Sequence, residues 1–104
     1  MAVILQVDFP SEGPFGTEMS KAYQDLAVSI NHEQGMLWKI WTENSETQQA
    51  GGIYLFETHE QAEQYLKMHT ARLESFGVKK IRGRIFEING PLSGLNKAPL
   101  RVSL

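Results

Sequence analysis

The 104-residue sequence predicts an α+β fold, a ferredoxin-like βαββαβ unit with two helices against one face of an antiparallel sheet. Three observations carry that expectation. Apolar residues recur with period two in four segments and with helical spacing in two others, in that order. Glycine and proline cluster at the junctions. The length suits one domain and leaves little room for a second.

The opening AVILQVDF reads as a strand, with Val3, Leu5, Val7 and Phe9 on one side. Pro10 to Gly16 holds two prolines and two glycines and breaks it. Met19, Tyr23, Leu26, Ala27 and Ile30 mark one face of a helix starting near Thr17, and Gly35 closes the connection that follows. Met36 to about Glu43 is the second strand, ENSETQQ a polar loop, and Gly52 to Glu57 the third strand. Thr58 caps the second helix, with Gln61 at the return position of a capping box. Ala62, Leu66, His69, Leu73 and Phe76 form its inner face, Gly77 stops it, and KKIRGRIFEI is the last strand. Residues 1–90 therefore read as the domain. Residues 91–104, with two prolines and a glycine, read as an extended arm anchored by Leu92, Leu95, Leu100, Val102 and Leu104.

Two helices cover only one face of such a sheet, and an open face normally shows alternating apolar and polar residues. Here the alternation is poor. Ala2 and Ile4 oppose Val3, Leu5 and Val7; Tyr54 and Phe56 oppose Ile53 and Leu55; Trp38 and Trp41 fall on opposite sides of one strand. Burying one large aromatic is worth about 1.5–3 kcal/mol, so the sequence predicts a second packed surface, sheet against another subunit. The arm is expected to lie over that partner, giving a homodimer.

Composition narrows the function. Hydrophobic residues are 41% and charged residues 21%, ordinary for a globular chain. No stretch approaches the roughly 20 apolar residues of a membrane span, and the start has no signal-peptide pattern, so a cytoplasmic protein without membrane contact is expected. Cysteine is absent, which removes disulfides and thiolate chemistry. The three histidines form no metal-ligand spacing, and no phosphate-binding or nucleophile-elbow motif occurs. RNA recognition domains share the βαββαβ order, but AGGIYLFE lacks their leading cation and a central aromatic. A net charge of −2 also argues against nucleic acid. Lys80, Arg82 and Arg84 then read as protection of an edge strand.

Among polar residues His69 is the most informative. It shares a narrow helical arc with Leu66 and Leu73 and should face the sheet. It is either a satisfied, half-buried histidine or a donor, acceptor or base in a pocket. Arg72, on the flank of that helix, either holds an anion or makes a surface ion pair.

The combination of FPSEGPFG, SINHEQG, GMLWKIWTEN, AGGIYLFE and MHTARLESFGV resembles the YdhR-like family of proposed monooxygenases, from Ala2 to about Asn96. That family belongs to the dimeric α+β barrel superfamily. The resemblance implies a homodimer whose two sheets face each other, with a pocket between helices and sheet in each subunit. Related polyketide monooxygenases oxidise electron-rich aromatics without metal, haem or flavin, while other superfamily members degrade haem or only bind small molecules. It implies His69, Tyr54 and Arg72 as catalytic candidates. Trp38, Trp41, Phe56, Tyr23 and Asn31 are the substrate-binding candidates, one tryptophan forming the pocket wall and the other the dimer side. The activity implied is cofactor-independent oxidation of a small phenolic or polycyclic aromatic, with molecular oxygen as co-substrate. The alternative is noncatalytic binding of a small apolar molecule, haem included.

Overall fold

A computed structural model describes residues 2–100. Its elements run β1 (Val3–Pro10), α1 (Gly16–Ala22), α2 (Gln24–Ile30), β2 (Met36–Asn44), β3 (Gln49–Phe56), α3 (His59–Ser75), β4 (Arg82–Glu87) and α4 (Gly90–Leu95). The four strands form one antiparallel sheet in the order β2-β3-β1-β4, so β4 is an edge strand as expected. This is the α+β, ferredoxin-like arrangement that the segment order predicts. Val3, Leu5 and Val7 on β1, with Tyr54 and Phe56 on β3, form the buried core with Ala62, Tyr65 and Leu73 of α3. Gly83 of β4 lets α3 approach closely: a Cβ there would stand 2.4 Å from Leu66 Cδ1.

Four local expectations change. The first helix is two, broken at Tyr23 (φ −111°, ψ 16°). The break lets the Tyr23 ring stack on Trp41, with centroids 6.1 Å apart. The capping box is only half formed: Thr58 Oγ1 accepts from the Gln61 amide at 3.1 Å. The Gln61 carboxamide packs instead against Gly35, and its buried Oε1 has no partner among the described residues. Gly35, at φ 81°, has no Cβ to obstruct that packing. On α3 the buried stripe is Ala62, Tyr65, His69 and Leu73, while Phe76 lies beyond the helix and is exposed.

The fourth change is at the end of the chain. Residues 90–95 are a short helix rather than extended chain, because Asn89 Oδ1 accepts from the Leu92 amide and Pro91 occupies the first turn. Past it, the Pro99 carbonyl accepts a 2.9 Å hydrogen bond from Trp38 Nε1, so the tail reaches the open sheet face of its own subunit. Leu92 and Leu95 are exposed and Leu100 is half-buried; Val102 and Leu104 lie outside the described residues. No helix among the described residues is long and apolar enough to cross a membrane. Arg82 on the edge strand pairs with Asp8 of β1, Nη2 to Oδ1 at 2.8 Å.

Candidate functional site

The division of the tryptophans follows from strand geometry. A register irregularity between Met36 and Trp38 sets the phase of β2, after which Trp38 and Ile40 share one face and Lys39 and Trp41 the other. In register, Lys39 lies opposite Tyr54 and Trp41 opposite Gly52. Trp41, Lys39 and Tyr54 therefore project beneath the helices. Trp38 sits on the open face, against the tail.

Between this strand pair, α3 and the Pro10–Pro14 loop lies a cavity of about 760 Å3. Tyr23, Leu26, Trp41 and Val7 contribute much of its apolar lining, and Tyr54, His69, Arg72 and Lys39 its polar side. Helical spacing brings the α3 groups together: Tyr65, His69 and Arg72 follow one another at intervals of four and three. Arg72 Nη2 lies 2.8 Å from His69 Nδ1 and 3.4 Å from the Tyr65 hydroxyl. The Tyr65 hydroxyl in turn donates to the Tyr54 hydroxyl at 3.3 Å. The Tyr65 ring stacks on the His69 imidazole, with centroids 5.1 Å apart.

This network fixes protonation states. A guanidinium only donates, so His69 Nδ1 must accept and the ring proton resides on Nε2. His69 is buried, and burial, then the Arg72 and Lys39 charges, pull its pKa from 6.5 to about 4. It is a neutral donor near pH 7. Burial raises the pKa of Tyr54 strongly, with Tyr65 adding to the shift, so its phenol stays protonated. Tyr65 is likewise raised, chiefly by burial. Lys39 is drawn from 10.5 to about 7, first by burial and then by Arg72. Its ammonium stands 3.5 Å from the centroid of Trp41 and 4.6 Å from that of Tyr54. The lining residues Lys39, Arg72, Lys79 and Lys80 outnumber the one carboxylate, Glu12. Among the described residues neither Lys39 nor Arg72 has a carboxylate within ion-pair distance. The cavity therefore combines aromatic walls with an excess of cationic side chains.

Of the residues singled out from the sequence, His69, Tyr54, Arg72, Trp41 and Tyr23 meet at this cavity. Three do not. Trp38 faces the opposite side of the sheet. Phe56 is wholly buried, packed on Tyr54 and Tyr65. Asn31 ends α2 in an exposed position. Lys39 lines the cavity and Tyr65 hydrogen-bonds to Tyr54 and Arg72 behind it, yet neither is among the residues the sequence singles out. The signal for Lys39 is its place two residues before Trp41, which puts both on one strand face. Tyr65 precedes His69 by one helical turn.

The profile of the family described as "Putative mono-oxygenase ydhR" matches residues 4–99. The chain belongs to this family. The match spans β1 to the tail beyond α4, so every element of the cavity lies within the ydhR-matched region. No individual curated protein matches the sequence significantly. Membership in the ydhR family indicates a monooxygenase-like function in general terms and specifies neither substrate nor cofactor.

Proposed function

We propose that this ydhR-family protein is a monooxygenase that oxidises a small phenolic or polycyclic aromatic compound with molecular oxygen, without metal, haem or flavin. One observation carries the reading: the Arg72–His69 pair and the Tyr54 phenol border a single cavity with the Tyr23–Trp41 aromatic wall. The substrate ring packs on that wall and its hydroxyl, ionised, faces the cations. The phenolate transfers one electron to oxygen, giving a phenoxyl radical and superoxide. Their recombination forms a carbon–oxygen bond as a peroxide anion, which takes back the proton released from the substrate hydroxyl; loss of water from the resulting hydroperoxide leaves a quinone. One phenol and one oxygen molecule thus yield one quinone and one water. Arg72 stabilises the anions, and His69 and Tyr54 donate hydrogen bonds within the same cavity.

Haem ligation by His69 fits this donor set poorly. Its Nδ1 lone pair is engaged by Arg72 and its Nε2 carries the proton, leaving no lone pair for iron. Oxygen uptake with a panel of dihydroxynaphthalenes and related phenols tests the activity. Uptake should appear with at least one member, with one labelled atom from 18O2 in the product. Arg72→Met should lower kcat/KM by about 10²-fold, the scale of losing one preorganised stabiliser of developing charge. Tight binding of the panel with no uptake by any member would instead establish a binding protein without chemistry.

The same reading includes a second copy of the chain. Ile40 and Phe86 on the open sheet face are 52% and 46% exposed, and Leu92 and Leu95 on α4 are 60% and 78% exposed, more than single scattered residues explain. Two such faces packed about a twofold axis would close a barrel, with the segment from Pro91 onward adding contact to the partner. Sedimentation equilibrium at micromolar concentration should give twice the 11.8 kDa chain mass, and removal of the residues after Pro91 should weaken the association. A strictly monomeric species would sink the barrel.

A further inference from the structure

The paired glycines of AGGIYLF have a chemical consequence at Lys39. Gly52 lies beside Lys39 on the cavity face of the sheet, and a Cβ at Gly52 would stand 2.6 Å from Lys39 Cε. The missing side chain is the space through which the lysine stem passes. It folds over the sheet instead of extending to water, and its Nζ comes to rest against the rings of Trp41 and Tyr54. A lysine free to reach solvent would not be held so; here a glycine on the neighbouring strand makes room for it.

We propose that Lys39, seated across Gly52, is the base that takes the proton from the hydroxyl of a phenolic or enolic substrate and then holds the resulting anion in the cavity. This rests on the phenol-oxidising reading above and names the selective feature of its substrate: an aromatic bearing an ionisable hydroxyl. In the step, the Nζ lone pair forms an N–H bond as the substrate O–H bond breaks. The bonding electrons stay on oxygen, and an ammonium–phenolate pair results with no change of oxidation state. His69 does not compete, because its Nδ1 lone pair faces Arg72. The other titratable or charged groups lining the cavity are Tyr54 of β3, His69 and Arg72 of α3, Tyr23 between the helices, Glu12, and Lys79 with Lys80. Burial disfavours a charged Lys39 most, and of these groups Arg72 disfavours it further, so the amine is partly unprotonated near pH 7. An incoming phenol finds a neutral acceptor.

The decisive measurement is proton exchange on binding, with 4-nitrophenol and 4-nitro-1-naphthol as probes; neither is required to be a turnover substrate. In weakly buffered solution near pH 8 each probe is largely ionised and Lys39 largely neutral. Forming the ammonium–phenolate pair must then take up close to one proton per molecule bound, and the phenolate absorbance band must persist on binding. Lys39→Arg, which keeps the charge but has no lone pair to protonate, should bind phenolate with no proton uptake. Lys39→Met should bind at least about 10-fold more weakly, one buried charge-assisted contact being lost. Gly52→Ala should displace the amine and abolish uptake; if it fails to fold, Lys39→Arg still decides. Binding by the wild type without proton uptake, equal uptake by Lys39→Arg, or no binding of either probe at millimolar concentration would each overturn the proposal. Proton uptake with no oxygen consumption on the wider panel would leave Lys39 in place and remove the monooxygenase reading instead.

Discussion

Phe56→Ala is expected to remove about 3–5 kcal/mol of folding stability, the range for truncating a buried phenylalanine. Against the 5–15 kcal/mol typical of a single domain, that is between about a fifth and all of the total. Phe56 has no exposure to solvent, and its ring lies 6.0 Å from Tyr54 and 5.4 Å from Tyr65, centroid to centroid. Strand β3 brings it against Tyr65 of α3 within the close-packed core. The urea midpoint measures the loss. Because Phe56 supports the two tyrosines that end in the Arg72 network, the variant should also bind phenolic ligands more weakly than its folded fraction explains. Phe56→Leu, which keeps most of the volume, should lose less than half as much stability. An alanine variant as stable as the parent would mean that Phe56 faces the cavity as the sequence alone suggests.

That contrast shows where the sequence is legible. Strand segments and their order can be read from period-two patterning because side-chain alternation is a local property of extended chain. The same period separates Trp38 from Trp41. It does not say which of them meets the helices, since that depends on the register irregularity after Met36 and on pairing with β3. Phe56 and Tyr54 share one face, so alternation treats them alike. Their fates differ because Phe56 lies in register with Met36 and Tyr54 with Lys39, along the strand from closed core to open cavity. Asn31 is polar and near the helix end, but α2 stops with that residue turned to solvent. His69 and Arg72 are readable because three-residue helical spacing fixes their proximity. Lys39 hides for the opposite reason. A lysine in a strand ordinarily reaches water, and its inward path depends on a glycine thirteen positions away, adjacent only after β2 and β3 pair.

Lys39→Met is expected to stabilise the protein below about pH 8 while impairing ligand binding. The sign follows from the direction of the shift. Lys39 has an ordinary pKa of 10.5 and about 7 in the fold, so between those values the unfolded chain binds more protons than the folded one. Stability therefore rises with pH across that window, and below it the folded protein carries the full penalty of an enclosed ammonium. His69, lowered from 6.5 to about 4, acts the same way in its own window: stability attributable to it falls as pH drops from 6.5 to 4. At 1.36 kcal/mol per pKa unit the Lys39 shift would amount to about 4–5 kcal/mol, but the group is only partly enclosed, so about 1–3 kcal/mol is the expected gain. Methionine matches the stem in length and shape, lies across Gly52 in the same way and brings no charge. Urea midpoints at about pH 5, 7 and 9 provide the check. The wild type should gain stability between the last two, and Lys39→Met should exceed it at pH 5 and 7, with the difference narrowing at pH 9. A methionine variant less stable than the parent at pH 7 would mean that the ammonium is well solvated. The lysine would then be an ordinary surface cation, and the aromatic cavity would lose its base. A stabilising loss of a polar group at a cavity is the expected signature of a residue retained for binding or chemistry against its cost to the fold.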